Sequence, residues 1–280
     1  MSSPVMLSHA APLFEGAAGA IVDLWGVVHN GVAAFPAALD ALDRFKRGGG
    51  RVVLLSNAPR PSDVVVAQLD RLGVDRALYD DIVTSGDSAR AAIAARSGAR
   101  LYHIGPPRDL PLFEGLDVER VASVAKAEAI VCSGLLDDET ETAADYRAVL
   151  AEGLEAGLTL VCANPDRIVA RGDRVIPCAG AVARLYAEMG GAVEWHGKPH
   201  ARVYDLTLAR LGTAPDRTLA VGDGIETDIP GANAQGIPAL LVTGGVHADL
   251  WGDPADPIRL AERLDAHGLH VSGAIDRLRW

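Results

Sequence analysis

Four short polar clusters in this sequence sit beside apolar runs. Asp23 follows Ala20-Ile21-Val22, Ser56-Asn57 follows Val52–Leu55, and Gly222-Asp223-Gly224 follows Leu219–Val221, with Asp228 further on; Gly197-Lys198-Pro199 precedes an amphipathic stretch. Together these residue types suit work on a phosphate group. A carboxylate such as Asp23 can attack phosphorus and pass through an aspartyl-phosphate that water hydrolyses. Mg²⁺ takes oxygen ligands, commonly one or two carboxylates completed by water and a substrate oxygen, and Asp23 with Asp223 could supply the pair. The Ser56 hydroxyl and backbone N–H groups around Asn57 suit phosphoryl oxygens. Lys198 offers a point charge against phosphate and nucleophile. Asp228 opens a helix, from which it could order metal-bound water or hold Lys198. Taken singly these features are ordinary: an Asp after a strand is most often a turn or N-cap residue, Ser56-Asn57 a loop cap, a lysine before proline a solvated side chain, and Asp228 an N-cap with Pro230 just inside the helix. Their order and common placement at strand exits carry the specificity.

Such clusters meet only if the strands before them are neighbours, because an open parallel sheet binds ligands outside its carboxyl edge. Short apolar runs alternating with amphipathic stretches supply that kind of sheet. Ala20–Leu24 reads as the first strand. Pro36 then opens a helix with Leu39, Leu42 and Phe45 on one face, stopped by Gly48–Gly50. Val52–Leu55 is the next strand, and Pro61 opens a helix carrying Val65, Leu69 and Leu72 that ends at Gly73. Ile82–Thr84 is a third short strand. Through the middle, strands are expected at Leu101–Ile104, Ala129–Cys132 and Leu158–Cys162, and helices at Ser88–Arg96 and Thr140–Glu155. The last third reads as a helix over Ala201–Leu211, a strand at Thr218–Val221, a helix at Asp228–Gln235, a strand at Ala239–Val242, a helix near Pro257–Ala266 and a short tail. No internal repeat or low-complexity linker marks a domain boundary; only the motifs do.

The chain has 280 residues, room for one large or two medium domains, and a net charge of −11. An acidic surface argues against nucleic acid and anionic membrane as partners, since both want basic patches. It does not exclude one phosphate neutralised in a cleft by a few cations and a metal. Met1–Ala20 lacks the basic start and sustained apolar run of a signal peptide, and neither alanine-rich patch beside Pro12 and Glu15 is long enough for a bilayer, so a cytoplasmic location is expected. Cys132, Cys162 and Cys178 form no C-x-x-C pair and read as buried free thiols of a reducing compartment.

The four clusters resemble the motifs of the haloacid dehalogenase superfamily. Asp23-Leu24-Trp25-Gly26-Val27 matches the first, D-x-D-G-V, except at one position; Ser56-Asn57 matches the second, Gly197-Lys198-Pro199 the third, and Gly222-Asp223-Gly224-Ile225-Glu226-Thr227-Asp228 the fourth, G-D-x-x-x-T-D. The stretch between the second and third motifs is similar to the large α/β cap of the 4-nitrophenylphosphatase, pyridoxal phosphatase and nucleotide phosphatase branch (subfamily IIA), with Ala163-Asn164-Pro165-Asp166 as its substrate-facing loop. The resemblance implies an α/β fold: a Rossmann-like core with a parallel sheet, formed by residues 1–86 and 190–280, and an inserted α/β (C2-type) cap at 87–189. It implies Asp23 as nucleophile and metal ligand, Asp223 as second carboxylate ligand, the backbone carbonyl of Trp25 as a third, and Mg²⁺ as cofactor. Gly222 and Asp228 support them. Val27–Gly31 becomes a small flap, for which Asn30-Gly31 is a hairpin signal. Within the cap loop Asn164, Asp166 and Arg167 are expected to face a small phosphorylated metabolite, although Asn164 and Asp166 beside Pro165 equally suit an Asx turn. Cap-to-cap pairing in the same branch points to a homodimer.

One departure bears on activity. The family's Asp two residues after the nucleophile protonates the leaving oxygen and then activates water; here Trp25 stands there, and indole only donates. Losing a positioned general acid typically removes roughly 10²–10⁴-fold in rate. The same D-x-W-G-V pattern marks a variant subgroup that the chain resembles. Three consequences follow: action on aryl or acyl phosphates, whose leaving groups need little protonation; a proton from His29 in the flap or His200 beyond Pro199; or a catalytically weak or inactive protein that binds a phosphorylated ligand as a sensor or regulatory partner. The retained Asp23, Lys198, Asp223 and Asp228 weigh against the last. No G-x-G-x-x-G follows the first strand, which argues against a dinucleotide-dependent oxidoreductase. Trp195 and Leu135 read as packed side chains.

Overall fold

The protein is described by a computed structural model covering residues 4–171, 174–252 and 254–280. In chain order the strands are β1 (Gly19–Asp23), β2 (Arg51–Ser56), β3 (Asp81–Thr84), β4 (Arg100–Ile104), β5 (Glu119–Val121), β6 (Ala129–Cys132), β7 (Thr159–Cys162), β8 (Ile168–Arg171), β9 (Arg174–Pro177), β10 (Val193–Trp195), β11 (Thr218–Gly222), β12 (Ala239–Val242) and β13 (Gly273–Ile275). The α-helices are α1 (Ala11–Glu15), α2 (Pro36–Arg47), α3 (Ser62–Arg71), α4 (Ser85–Ala94), α5 (Arg147–Glu155), α6 (Ala179–Glu188), α7 (Ala201–Leu211), α8 (Asp228–Ala234) and α9 (Pro257–Ala266). They fall into two compact units. One holds the chain up to Ser56, Val66–Val83 and everything from Tyr204; the other holds Asn57–Val65 and Thr84–Val203.

The first unit is built on a sheet of order β13-β12-β11-β1-β2-β3. Every residue of β1, β11 and β12 is buried, as continuous apolar runs require when a parallel sheet is covered on both faces. β1 pairs in parallel with β11 on one side and β2 on the other, Val22 opposite Val221 and Asp23 opposite Leu55. That register sends Asp23, Ser56 and Asp223 out of one carboxyl edge. α2 turns Ala38, Leu42 and Phe45 inward, and Phe45 packs on Phe14 with ring centroids 4.9 Å apart.

The second unit carries a parallel sheet of order β10-β7-β6-β4-β5. Leu150, Val182 and Tyr186 cover one face, and Ile93, Leu112 and Phe113 the other. Cys132, Cys162 and Cys178 are buried free thiols; burial pushes the Cys162 thiol up to about 12 and Cys132 well above its ordinary value, so both are inert.

Several expectations are corrected. The helix expected from Ser88 starts at Ser85, because Thr84 and Asp87 form a reciprocal capping box. The helix expected over Thr140–Glu155 is a 3₁₀ turn, Ala143–Tyr146, followed by α5. The terminal tail contains β13, which pairs with β12 and extends the sheet. β10, for which no strand was expected, pairs with β7 in the second sheet. Asn30-Gly31 does turn the chain, but without paired strands: the Asn30 side chain accepts from the N–H groups of Val32 and Ala33, and the flanking residues make only isolated bridges. The antiparallel pair β8–β9 and helix α6 were not anticipated. Among the described residues, no helix is long and apolar enough to cross a membrane.

Candidate active site

In the first unit Asp23, Asp223 and Asp228 converge. They are 6%, 5% and 7% exposed, and one carboxylate oxygen from each lies within 4.8 Å of the others. β1 delivers Asp23, β11 delivers Asp223, and Asp228 starts α8. Glycines make this approach fit. A Cβ on Gly26 or Gly245 would stand 2.3 or 2.2 Å from the Asp223 carboxylate, and one on Gly222 would stand 2.2 Å from that of Asp228. The Val246 N–H donates to Asp223 at 2.5 Å, while Gly224 N–H and the Thr227 hydroxyl donate to Asp228, each at 3.2 Å. Sequence reasoning missed Gly26, Gly245 and Val246 as supports; the paired glycines 244–245 just past a strand were the available signal.

Three carboxylates this close and this buried repel one another, and a bound hard cation would offset that repulsion. All-oxygen donors from two neighbouring strand ends fit Mg²⁺ rather than a soft metal. Ser56, also buried, ends β2 at the same edge of the sheet.

Trp25 is held by the turn that follows it. Its ring stands edge-on to His29 with centroids 5.2 Å apart, and it lies so close over Gly31 that a Cβ there would fall 2.3 Å from the ring. Gly31 has φ +84°, a left-handed conformation that only glycine adopts freely. His29 is buried within this turn, where its Nδ1 accepts from the Gly31 N–H at 3.0 Å. Burial pushes its pKa down to about 4, so near neutral pH the imidazole is uncharged and a poor proton donor.

In the second unit Lys198 and Asn57 are 3% and 6% exposed. The Asn57 Oδ1 accepts from Lys198 N–H at 2.7 Å; its Nδ2 donates to the Lys198 carbonyl at 3.2 Å and to Asp166 Oδ1 at 2.7 Å. The Lys198–Pro199 peptide is cis. Asn164 Oδ1 accepts from Asp166 N–H at 3.0 Å, the Asx turn that the sequence allowed, and Arg167 is exposed. His200 stacks on Trp195 with centroids 5.9 Å apart, and burial lowers its pKa as well.

The description "haloacid dehalogenase-like hydrolase" belongs to a family model that matches residues 20–119, and a second model, described as HAD-hydrolase-like, matches 195–266. D-glycerol 3-phosphate phosphatase of Mycobacterium tuberculosis is 30% identical over 255 residues, covering 89% of this chain and 70% of its own. The structure of a haloacid dehalogenase-like hydrolase from Brucella suis superposes with a TM-score of 0.87 at 39% identity, over 98% of this chain and 100% of that one. A glycerol phosphate phosphatase from M. tuberculosis, solved in complex with magnesium, gives a TM-score of 0.67 at 25% identity over 93% of this chain and 79% of that one.

Proposed function

The chain belongs to the haloacid dehalogenase-like hydrolases, and on that premise we propose that it is a Mg²⁺-dependent phosphohydrolase acting on a small phosphorylated metabolite. The single observation that carries the reading is the convergence of Asp23, Asp223 and Asp228, three buried carboxylates close enough to share one hard metal ion. Asp23, Asp223 and the main-chain carbonyl of Trp25 would hold Mg²⁺. Bound there, the ion offsets the charge of carboxylate and phosphoryl group together and so lets one approach the other.

The Asp23 carboxylate attacks phosphorus, forming the aspartyl-phosphate as the bond to the leaving oxygen breaks and its electron pair departs with that oxygen. Water then cleaves this mixed anhydride, releasing inorganic phosphate and restoring Asp23. Ser56 is read as a donor to phosphoryl oxygen, Lys198 as the positive charge beside it, and Asp228 as support for the carboxylate pair. The insertion at 87–189 is read as a substrate-selecting cap, with Asn164, Asp166 and Arg167 in its loop. Because Trp25 cannot act as acid and base, the substrates that suit this site leave without much help from a proton, as aryl and acyl phosphates do.

The test is turnover of 4-nitrophenyl phosphate and acetyl phosphate, with Mg²⁺ and with EDTA, alongside Asp23→Asn. Metal-dependent release of phosphate that disappears in the variant is the expected result. Ligand binding with no turnover above the variant would replace this reading with a phospho-ligand binding protein and make Trp25 the residue to explain.

A further inference from the structure

We infer that Asn57 is a positioning residue, its carboxamide tying the backbone of Lys198 to the carboxylate of Asp166, so that the loop 164–166 sets where the lysine is rooted. The inference rests on the proposed role of Lys198. A carboxamide offers two donor hydrogens and an acceptor oxygen. The two hydrogens of Asn57 go to the Lys198 carbonyl and Asp166 Oδ1, and its oxygen takes the Lys198 N–H. Asn57 thus pairs with both backbone groups of Lys198 as a neighbouring strand would, and no amide hydrogen is left over for a phosphoryl oxygen.

Both things that Asn57 joins are themselves fixed. On the lysine side, Gly197 has φ +105°, and a Cβ there would stand 2.6 Å from Asn57 Oδ1 and 2.6 Å from Ser85 Oγ. The Ser85 hydroxyl donates to the His196 carbonyl at 2.6 Å, and Ser88 Oγ lies 2.9 Å from His196 Nδ1. On the loop side, Gly180 N–H donates to the Asp166 carbonyl at 3.0 Å, and a Cβ on Gly180 would stand 2.4 Å from that oxygen. Asp166 therefore acts through Asn57 on the lysine, whatever it contributes to a substrate. An error of about 1 Å in placing such a charge costs on the order of 10²-fold in rate.

Two measurements on the full chain test this: steady-state kinetics on 4-nitrophenyl phosphate with Mg²⁺, and hydrogen exchange at the Lys198 amide. Asn57→Asp removes both donors and sets a carboxylate against Asp166. Adding Asp166→Asn restores that bond with its polarity reversed. Asn57→Asp is expected to lower kcat about 100-fold with KM within about threefold, and the double variant to recover at least about tenfold. Asn57→Ala should speed exchange at Lys198 by about tenfold or more while the β6 amides stay protected. If Asn57→Ala does not fold, Asp166→Ala, which leaves Asn57 in place, gives the same readout in the same direction. A double variant no better than Asn57→Asp, or an unchanged Lys198 amide, overturns the inference. Faster exchange at Lys198 in a protein with no metal-dependent turnover would instead reject the phosphohydrolase reading and leave the clamp standing.

Discussion

At the carboxylate cluster the effect of a mutation changes with magnesium. Without the ion, Asp23, Asp223 and Asp228 repel one another in a buried space. Asp23→Asn removes one charge and keeps the shape, so the metal-free variant should melt above the metal-free wild type. Mg²⁺ should raise the wild-type midpoint and raise that of the variant less, because a ligand bound only by the folded state stabilises in proportion to its affinity. Calorimetry with and without EDTA reads both effects; a variant that melts lower in EDTA and responds fully to Mg²⁺ would remove Asp23 from the ion's ligands. Trp25 carries the second prediction at this scale. With His29 buried and uncharged near neutral pH and Trp25 packed on Gly31, rates over a series of aryl phosphates should fall steeply as leaving-group pKa rises. A flat series would show that a proton is supplied after all. Asp23, Asp223 and Asp228 were legible in the sequence because each sits at a fixed offset from an apolar run. Gly26 and Gly245 were not, since their need to be glycine arises from a carboxylate brought in by another strand.

The turn after β1 shows how an element depends on one residue it encloses. Gly31→Ala meets two costs, a left-handed φ and a Cβ 2.3 Å from the Trp25 ring. The backbone conformation alone costs about 1–2 kcal/mol, and forced overlap adds typically about 1–3 kcal/mol. In the Trp25→Ala background the overlap is gone, so Gly31→Ala should cost only the smaller amount there. Urea denaturation of the four proteins measures the difference; equal costs in both backgrounds would mean that the ring does not confine the turn. The strands that frame the site, β1, β2 and β11, were legible as buried apolar runs. β8, β9 and α6 were not, because that segment borrows its register from partners: Ile168 faces Pro177 across the pair, and Gly180 packs on the carbonyls of Pro165 and Asp166. The hairpin signal at Asn30-Gly31 gave a turn with a very short ladder: the Asn30 side chain takes the N–H groups of Val32 and Ala33, while Asn30 N–H donates to the Ala33 carbonyl and Phe35 N–H to the Val28 carbonyl.

For the molecule as a whole, buried histidines set the response to acid. His103 and His196 have pKa values pushed down to about 4 by burial, with Arg120 adding to the shift of His103 and Glu194 opposing that of His196. Unfolded, each titrates near 6.5. Between these values the unfolded chain binds more protons than the folded one, so stability is full above pH 6.5 and is lost as pH falls toward 4. At roughly 1.4 kcal/mol per pKa unit, the loss is on the order of 3 kcal/mol for each histidine. The urea midpoint should therefore be lower at pH 5 than at pH 7.5, and His103→Gln should narrow the gap; a variant with the wild-type gap would show that His103 protonates without cost. At this scale the sequence alone determined the alternation of strands and helices, the family, and the order of the chemical groups along the chain, because these follow from local periodicity and short motifs. Only the tertiary structure decided that β1 lies between β11 and β2, that β10 joins the second sheet, that Trp25 is locked over Gly31, and that Asn57 serves the lysine backbone. Each of those facts is a contact between residues far apart in the chain or a competition for one hydrogen bond. The outcome depends on which partner packing brings within reach, and no local pattern records that.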